Sequence, residues 1–264
     1  MKSIFITGAA SGIGKATAKL FAERGWLVGI YDVDQDGLAS LEAEIGADKC
    51  VRGALDVTSE SAWRDAVAAF GRKTDGAMDA LFNCAGILRM GRFEELPPSE
   101  SLKQVQVNVM GTVYGIYASL PLLEKTSSAP SADATKTSAC IVNMSSASAI
   151  YGTPELAVYS ATKFAVRALT EALDLEFRKK RIRVADIMPS YVATPMVSNQ
   201  TYRAKSLKTL GVKTTAEDVA ACVWQAVTGR ALVHHVPRAD LKLFVRLSGF
   251  QSLARPAMRV FSKM

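Results

Sequence analysis

"TGAASGIG", residues 7–14, follows the apolar run "KSIFIT" (2–7) and opens an amphipathic stretch at 13–24. Glycines at 8, 12 and 14 allow a tight turn and let a diphosphate approach the backbone. The helix that starts there offers free N–H groups and a partial positive charge. A glycine-rich turn can also do no more than join a strand to a helix, so the strand before it and the helix after it carry the reading. A Walker loop is excluded: Ala9 stands where its first glycine would fall, and Ala16 where Ser or Thr must follow Lys15.

Outward from this turn the pattern repeats. "WLVGIYD" (26–32), "KCVRGALD" (49–56), "MDALFN" (78–83), "ACIVNMS" (139–145), "IRVADIMP" (182–189) and "ALVHHVP" (231–237) read as further strands. Amphipathic stretches lie between them at 36–45, 60–72, 100–124, 155–180 and 215–228. Short apolar strands alternating with helices predict an α/β fold: a doubly wound parallel sheet of about seven strands, helices on both faces, in a single domain. "KTSSAPSADATKTSA" (125–139) reads as a solvent loop before the fifth strand. Residues 1–236 are expected to form one α/β domain, and 237–264 a basic amphipathic tail that belongs to it or to its oligomer interface.

The chain of 264 residues is 49% hydrophobic, enough for one large core, and no apolar run is long enough to span a bilayer. The N-terminus reads as a first strand rather than a secretory signal. Cys50, Cys84, Cys140 and Cys222 are far apart without a CxxC pair, which fits reduced thiols in a cytoplasmic protein. In an extended segment the adjacent His234 and His235 point to opposite faces, a poor metal pair, and no metal site is expected. From Arg230 onward, seven Lys or Arg stand against one Asp, so nearly all of the net charge of +7 belongs to the tail. A nucleic-acid binder would carry a basic face elsewhere too, and none is expected here.

Asp32 ends the second strand, twenty residues after Gly12. A carboxylate there accepts the hydroxyls of an adenosine ribose and repels a 2′-phosphate, and neither Ser11 nor Val33 supplies a cation to reverse that. NAD is therefore expected over NADP, although an Asp in this place can also cap the next helix. In "YSATK" (159–163), Tyr159 and Lys163 stand one helical turn apart on the same face. A free phenol, with a pKa of about 10, is a poor base. An ammonium and an oxidised nicotinamide beside it favour the phenolate and suit it to take a proton from an alcohol. "NMSSAS" (143–148) ends a strand, where open α/β sheets place ligands, and a hydroxyl from Ser145 or Ser146 can hold the substrate oxygen.

"TGAASGIG" (7–14), "NCAG" (83–86), Asn108 in "VNVMG", "SS" at 145–146, "YSATK" and "PSYVATPM" (189–196) stand in the order of the short-chain dehydrogenase/reductases, which the chain resembles from about residue 2 to 236. The resemblance includes the TGxxxGxG and YxxxK motifs and a Rossmann-type fold. It implies Tyr159 as acid/base and Lys163 as the residue that lowers its pKa and holds the nicotinamide ribose. It also implies Ser146 as the group orienting the substrate oxygen, and Asn108 as support for a water-mediated proton path. For the cofactor it implies Gly8, Ser11, Gly12, Ile13 and Gly14 at the phosphates and Asp32 and Val33 at the ribose. Asp56 and Val57 then border the adenine, Asn83, Ala85 and Gly86 form the turn beside the cofactor, and Pro189, Val192 and Thr194 meet the nicotinamide. Cys84 replaces a usual Asn and Ser190 a usual Gly.

The pocket-facing residues expected on this basis, among them Leu88, Met90, Ile150, Tyr191, Met196 and Tyr202, are mainly apolar and suit a lipophilic or aromatic secondary alcohol or ketone. A homodimer or homotetramer packed through the helices at 100–124 and 155–180 follows from the resemblance. The tail's cationic residues, spaced with Leu243, Phe244, Leu247 and Phe250, fit packing on a subunit or over the pocket, and also contact with an anionic membrane surface. The rival reading is a non-catalytic NAD-binding or membrane-surface-associated protein. A serine hydrolase is disfavoured because no GxSxG elbow occurs.

Overall fold

The computed structural model describes residues 1–129, 139–229 and 232–237. Its seven parallel strands are β1 (Ser3–Thr7), β2 (Leu27–Asp32), β3 (Cys50–Ala54), β4 (Ala80–Asn83), β5 (Ala139–Met144), β6 (Ile182–Ile187) and β7 (His234–His235). They form one sheet in the order β3-β2-β1-β4-β5-β6-β7. The chain winds outward from β1 to one edge, then returns to place β4 on the other side of β1. The strand order therefore reverses between β1 and β4, and in open α/β sheets the crevice at that reversal takes ligands.

Burial explains why the strands read as continuous apolar runs. All five residues of β1 are buried, and period-two alternation sends them to opposite faces. Ile4 and Ile6 pack with Phe21 of α1 (Gly12–Glu23), Leu38 and Leu41 of α2 (Gln35–Ile45) and Val223 of α9 (Ala216–Thr228). Phe5 faces the other way, with Trp63 and Phe70 of α3 (Glu60–Lys73) and Ile116 and Leu123 of α5 (Gly111–Ser128). There it stacks on Tyr31 at 4.1 Å between ring centroids. α6 (Ala157–Glu176) covers this second face through Leu169 and Leu173. Helices thus lie on both faces of the sheet, as the alternation predicts.

Three segments depart from expectation. The stretch at 100–124 is not one helix: α4 (Pro98–Val105) passes through a π turn, Gln106–Met110, into α5. The π turn carries Asn108, whose side chain is buried and engaged with Ile87. The expected loop at 125–139 begins later, because α5 runs to Ser128. Its last turn is tied down by tertiary contact, with Thr126 accepting the Met78 N–H at 3.0 Å. The rest of that stretch, 130–138, lies outside the described residues, as does the tail from 238 onward. Finally, the segment after β6 contains two short helices, α7 (Pro195–Ser198) and α8 (Lys205–Leu210). The two histidines part company as extended geometry requires. His234 meets Asp186 at 2.9 Å and His235 the Leu232 carbonyl at 3.0 Å.

Candidate active site

The turn after β1 shows why glycine stands where it does. Gly8 has φ +68°, a backbone conformation costly for residues with a Cβ. A Cβ on Gly14 would lie 2.0 Å from the Gly8 carbonyl oxygen, so the helix can start this close to the strand only with glycine. Ser11 precedes α1 in extended conformation, and its side chain makes no capping hydrogen bond. The first-turn N–H groups of α1 are left without a side-chain cap, which suits an anion. Thr7 Oγ1 ties this turn to its neighbour by accepting from the N–H groups of Cys84 and Ala85, each at 3.1 Å.

A cavity of about 720 Å³ opens across the C-terminal ends of the central strands. Gly8, Ser11, Gly12, Ile13 and Gly14 line one wall, with Asp32, Val33, Asp56 and Val57 beyond them. Ala85 and Gly86 continue it from β4, and Pro189, Val192 and Thr194 from the segment after β6. Ser190 is on the lining too. Asp34, not Asp32, caps α2, accepting from Gly37 N–H at 3.0 Å. Asp32 instead accepts from Ala10 N–H at 3.0 Å and Asp34 N–H at 3.2 Å, which fixes its carboxylate beside the glycine turn.

Of the residues expected in the pocket, Met90, Ile150 and Tyr202 pack beside the cavity without lining it, and Asn83 and Asn108 do not reach its wall either. Asn83 is buried and donates to Asn143 Oδ1 at 2.9 Å, and Asn143 donates to Thr170 at 2.9 Å. Its side chain crosses the sheet toward α6. Asn108 is likewise committed: Oδ1 accepts from Ile87 N–H at 2.8 Å, and Nδ2 donates to the Ile87 carbonyl at 2.9 Å and to Thr162 at 3.2 Å. It braces the loop after β4 against α6 and makes no direct hydrogen bond to Lys163.

The remaining candidates converge. Ser146, Tyr159 and Lys163 line the same cavity. The first turns of α6 put the Lys163 ammonium 5.5 Å from the Tyr159 ring centroid, and Lys163 donates to the Met144 carbonyl at 2.8 Å. The two serines just past the end of β5 have different partners. Both line the cavity, but Ser145 donates to the Lys163 carbonyl at 3.2 Å, whereas Ser146 accepts from Ser148 N–H at 3.1 Å and, against the burial that raises it, its hydroxyl lowers the pKa of the Tyr159 phenol.

Without the nicotinamide, the electrostatics hold the phenol in its neutral form. Burial pushes the Tyr159 phenol up to about 12, against the Ser146 hydrogen bond that lowers it, and Tyr191 pushes it up further. Burial also brings the Lys163 ammonium down to about 8. In the chain by itself desolvation is the largest influence on the phenol, so Tyr159 holds its proton at neutral pH. A cationic ring beside the phenol would act against that. Cys84, in place of the usual Asn, has its thiol pushed up to about 12 by burial and is not a nucleophile at neutral pH.

Sequence reasoning missed the fastening of the segment 190–210. Glu155, at φ +67°, accepts from Tyr202 Oη at 2.8 Å and Lys205 N–H at 2.6 Å, while Gln200 donates to the Leu88 carbonyl at 3.1 Å. It also missed the pairing of Tyr191 with Ser206, at 2.7 Å. No local pattern announces either, because the partners lie on separate segments.

A family model described as short chain dehydrogenase matches residues 2–205. The chain is 38% identical over 202 residues to the 2,5-dichloro-2,5-cyclohexadiene-1,4-diol dehydrogenase LinX of Sphingobium indicum, covering 75% of this chain and 76% of that protein. Among solved structures, a short-chain dehydrogenase/reductase from Burkholderia phymatum in complex with NAD superposes with a TM-score of 0.80. It is 25% identical, over 93% of this chain and 92% of that one. The 3-ketoacyl-(acyl-carrier-protein) reductase from Brucella melitensis complexed with NADH gives a TM-score of 0.77 at 31% identity, over 89% and 94% of the two chains.

Proposed function

The chain belongs to the short-chain dehydrogenase family, a family of oxidoreductases, and on that premise we propose that it interconverts a secondary alcohol and a ketone with NAD(H). The observation that carries this is the meeting of Ser146, Tyr159 and Lys163 on the wall of the cavity that also holds the glycine turn and Asp32. A bound nicotinamide dinucleotide supplies the acceptor of the hydride in oxidation and its donor in reduction. The residues present fit it: a turn that no Cβ would permit, uncapped helix N–H groups, and a fixed carboxylate at the end of β2.

Ser146 and Tyr159 hold the substrate oxygen. In reduction Tyr159 gives its phenolic proton to that oxygen as the carbonyl carbon gains the hydride. Oxidation would require the Tyr159 phenolate, which a cationic nicotinamide ring would favour; the phenolate takes the alcohol proton as the same carbon gives up the hydride. Lys163 lies behind the phenol with its ammonium held by Met144 and available to a ribose hydroxyl. Asn108 acts by holding the loop at Ile87 rather than by touching substrate. NAD is favoured over NADP because a 2′-phosphate would meet the Asp32 carboxylate, with exposed Val33 beside it. A homo-oligomer and a cytoplasmic location are part of the same reading. The first is supported by exposed apolar side chains on the helices expected to pack between subunits, among them Leu102, Val105, Tyr117, Phe164 and Leu175. No helix among the described residues is long and apolar enough to cross a membrane.

The test is NADH absorbance change against a panel of cyclic and aromatic secondary alcohols and ketones, with Tyr159→Phe alongside. The variant should lose at least ~10²-fold in turnover, the scale of a general acid/base, while NADH affinity stays near wild type. Retained turnover would remove Tyr159 from the mechanism.

A further inference from the structure

The part of the cavity beyond Tyr159 is built from Leu156, just before α6, and from the segment after β6. Leu156, Met196, Val197 and Leu210 give it an apolar lining. Two hydroxyls interrupt that lining. Tyr191 Oη and Ser206 Oγ lie 2.7 Å apart, and both residues face the cavity. Ser206 is 3% exposed. Each hydroxyl finds only the other among the described residues.

Hydroxyl arithmetic gives the pair an unused capacity. Each oxygen carries one hydrogen and can accept. One hydrogen is consumed between them, so one donor and several lone pairs remain. A buried polar group with unspent capacity calls for a partner, from water or from ligand. Tyr191 is also near enough to Tyr159 to push its phenol up, which places the pair and the acid/base in one compartment.

We propose that Tyr191 and Ser206 form a second polar anchor, which selects compact ring substrates carrying a second uncharged oxygen, hydroxyl or carbonyl, away from the reacting carbon. This rests on the oxidoreductase reading above and deepens it. The ring skeleton occupies the apolar lining while its two oxygens reach Ser146–Tyr159 and Tyr191–Ser206. The second oxygen is uncharged because the Glu155 carboxylate would repel an anion there: burial raises the Tyr191 phenol, and the field of Glu155 raises it further. A carboxylate or phosphate beside Tyr191 would be desolvated without a counter-charge. The substrate is compact because about 720 Å³ has to hold a dinucleotide as well.

The experiment compares cyclohexane-1,4-diol with cyclohexanol, which lacks the second oxygen. Wild type, Tyr191→Phe and Ser206→Ala are assayed with NAD+, and binding of both alcohols to the NADH-loaded enzymes is followed by ligand-observed NMR. Wild type should prefer the diol by about 10-fold or more in kcat/KM, the scale of one buried hydrogen bond. Tyr191→Phe should abolish that preference, mostly through KM, so that the diol loses about 10-fold more than cyclohexanol. Ser206→Ala should reduce the preference less, because the Tyr191 hydroxyl remains. Equal losses on both alcohols in Tyr191→Phe, or no diol preference in wild-type turnover and binding, would overturn the anchor while leaving the oxidoreductase reading intact. Diol-selective binding that depends on Tyr191 but yields no NADH would support the anchor and overturn the reaction instead.

Discussion

Lys163 is expected to weaken the fold it serves. Its side chain is 4% exposed, and burial lowers its pKa from the ordinary 10.5 to about 8. At 1.36 kcal/mol per pKa unit, this displacement corresponds to about 3 kcal/mol against the charged form in the folded chain. Replacing it in Lys163→Met removes that penalty and leaves the Met144 carbonyl without its donor, a loss of about 1 kcal/mol. The cofactor-free variant should therefore be more stable than wild type by about 2 kcal/mol at pH 7, or about 4 to 8 °C in Tm. Its turnover should fall as wild type gains nothing from the exchange.

The pH dependence identifies the cause. A base whose folded pKa is depressed is protonated in both states below about 8, and its full penalty is present there. Between about 8 and 10.5 the folded chain sheds the proton first, so wild-type stability rises with pH relative to the variant. The gap between the two should shrink by about 1 kcal/mol from pH 8 to pH 9, because the folded ammonium is still half protonated at pH 8. Tyr159 and Cys84, both raised to about 12, act in the opposite sense, but only as pH climbs through their unfolded values toward that level. Urea unfolding of both proteins from pH 6 to 9, without cofactor, measures the difference. A variant less stable than wild type at neutral pH, or a gap that does not narrow above pH 8, would refute the assignment of a desolvated ammonium to Lys163.

Two more substitutions probe the cavity's ends. Asp32→Ala should reduce the preference for NAD(H) over NADP(H) by roughly 10-fold or more, the value of one charged contact, in initial-rate assays with each cofactor; a wild type that already prefers NADP(H) would contradict the role given to Asp32. Ser146→Ala should lower kcat by about 10²-fold, the scale of losing a donor at the reacting oxygen, and Ser145→Ala by far less, since Ser145 only bonds the Lys163 carbonyl. The reverse order would show that the serines had been assigned the wrong way round.

Local periodicity and steric demand carried most of the fold. The seven strands, the major helices and the glycine turn are legible because burial on both sheet faces writes continuous apolar runs, and because a Cβ at Gly8, already at φ +68°, would meet Ala85 at 2.9 Å and one at Gly14 would meet the Gly8 carbonyl at 2.0 Å. Tyr159 and Lys163 are legible because helical spacing alone puts them on one face. What the chain order could not contain is contact between distant segments. Asn83 and Asn108 stand in motif positions, yet their side chains are spent on Asn143 and on Ile87 and Thr162, which only the packed sheet and α6 bring near. The phenol's high pKa is likewise a property of the closed cavity, since desolvation is set by everything that excludes water and not by the Lys four residues on. The same holds for Tyr191 and Ser206: fifteen residues apart and on no common repeat, they become a polar pair only because α8 folds back over the cavity.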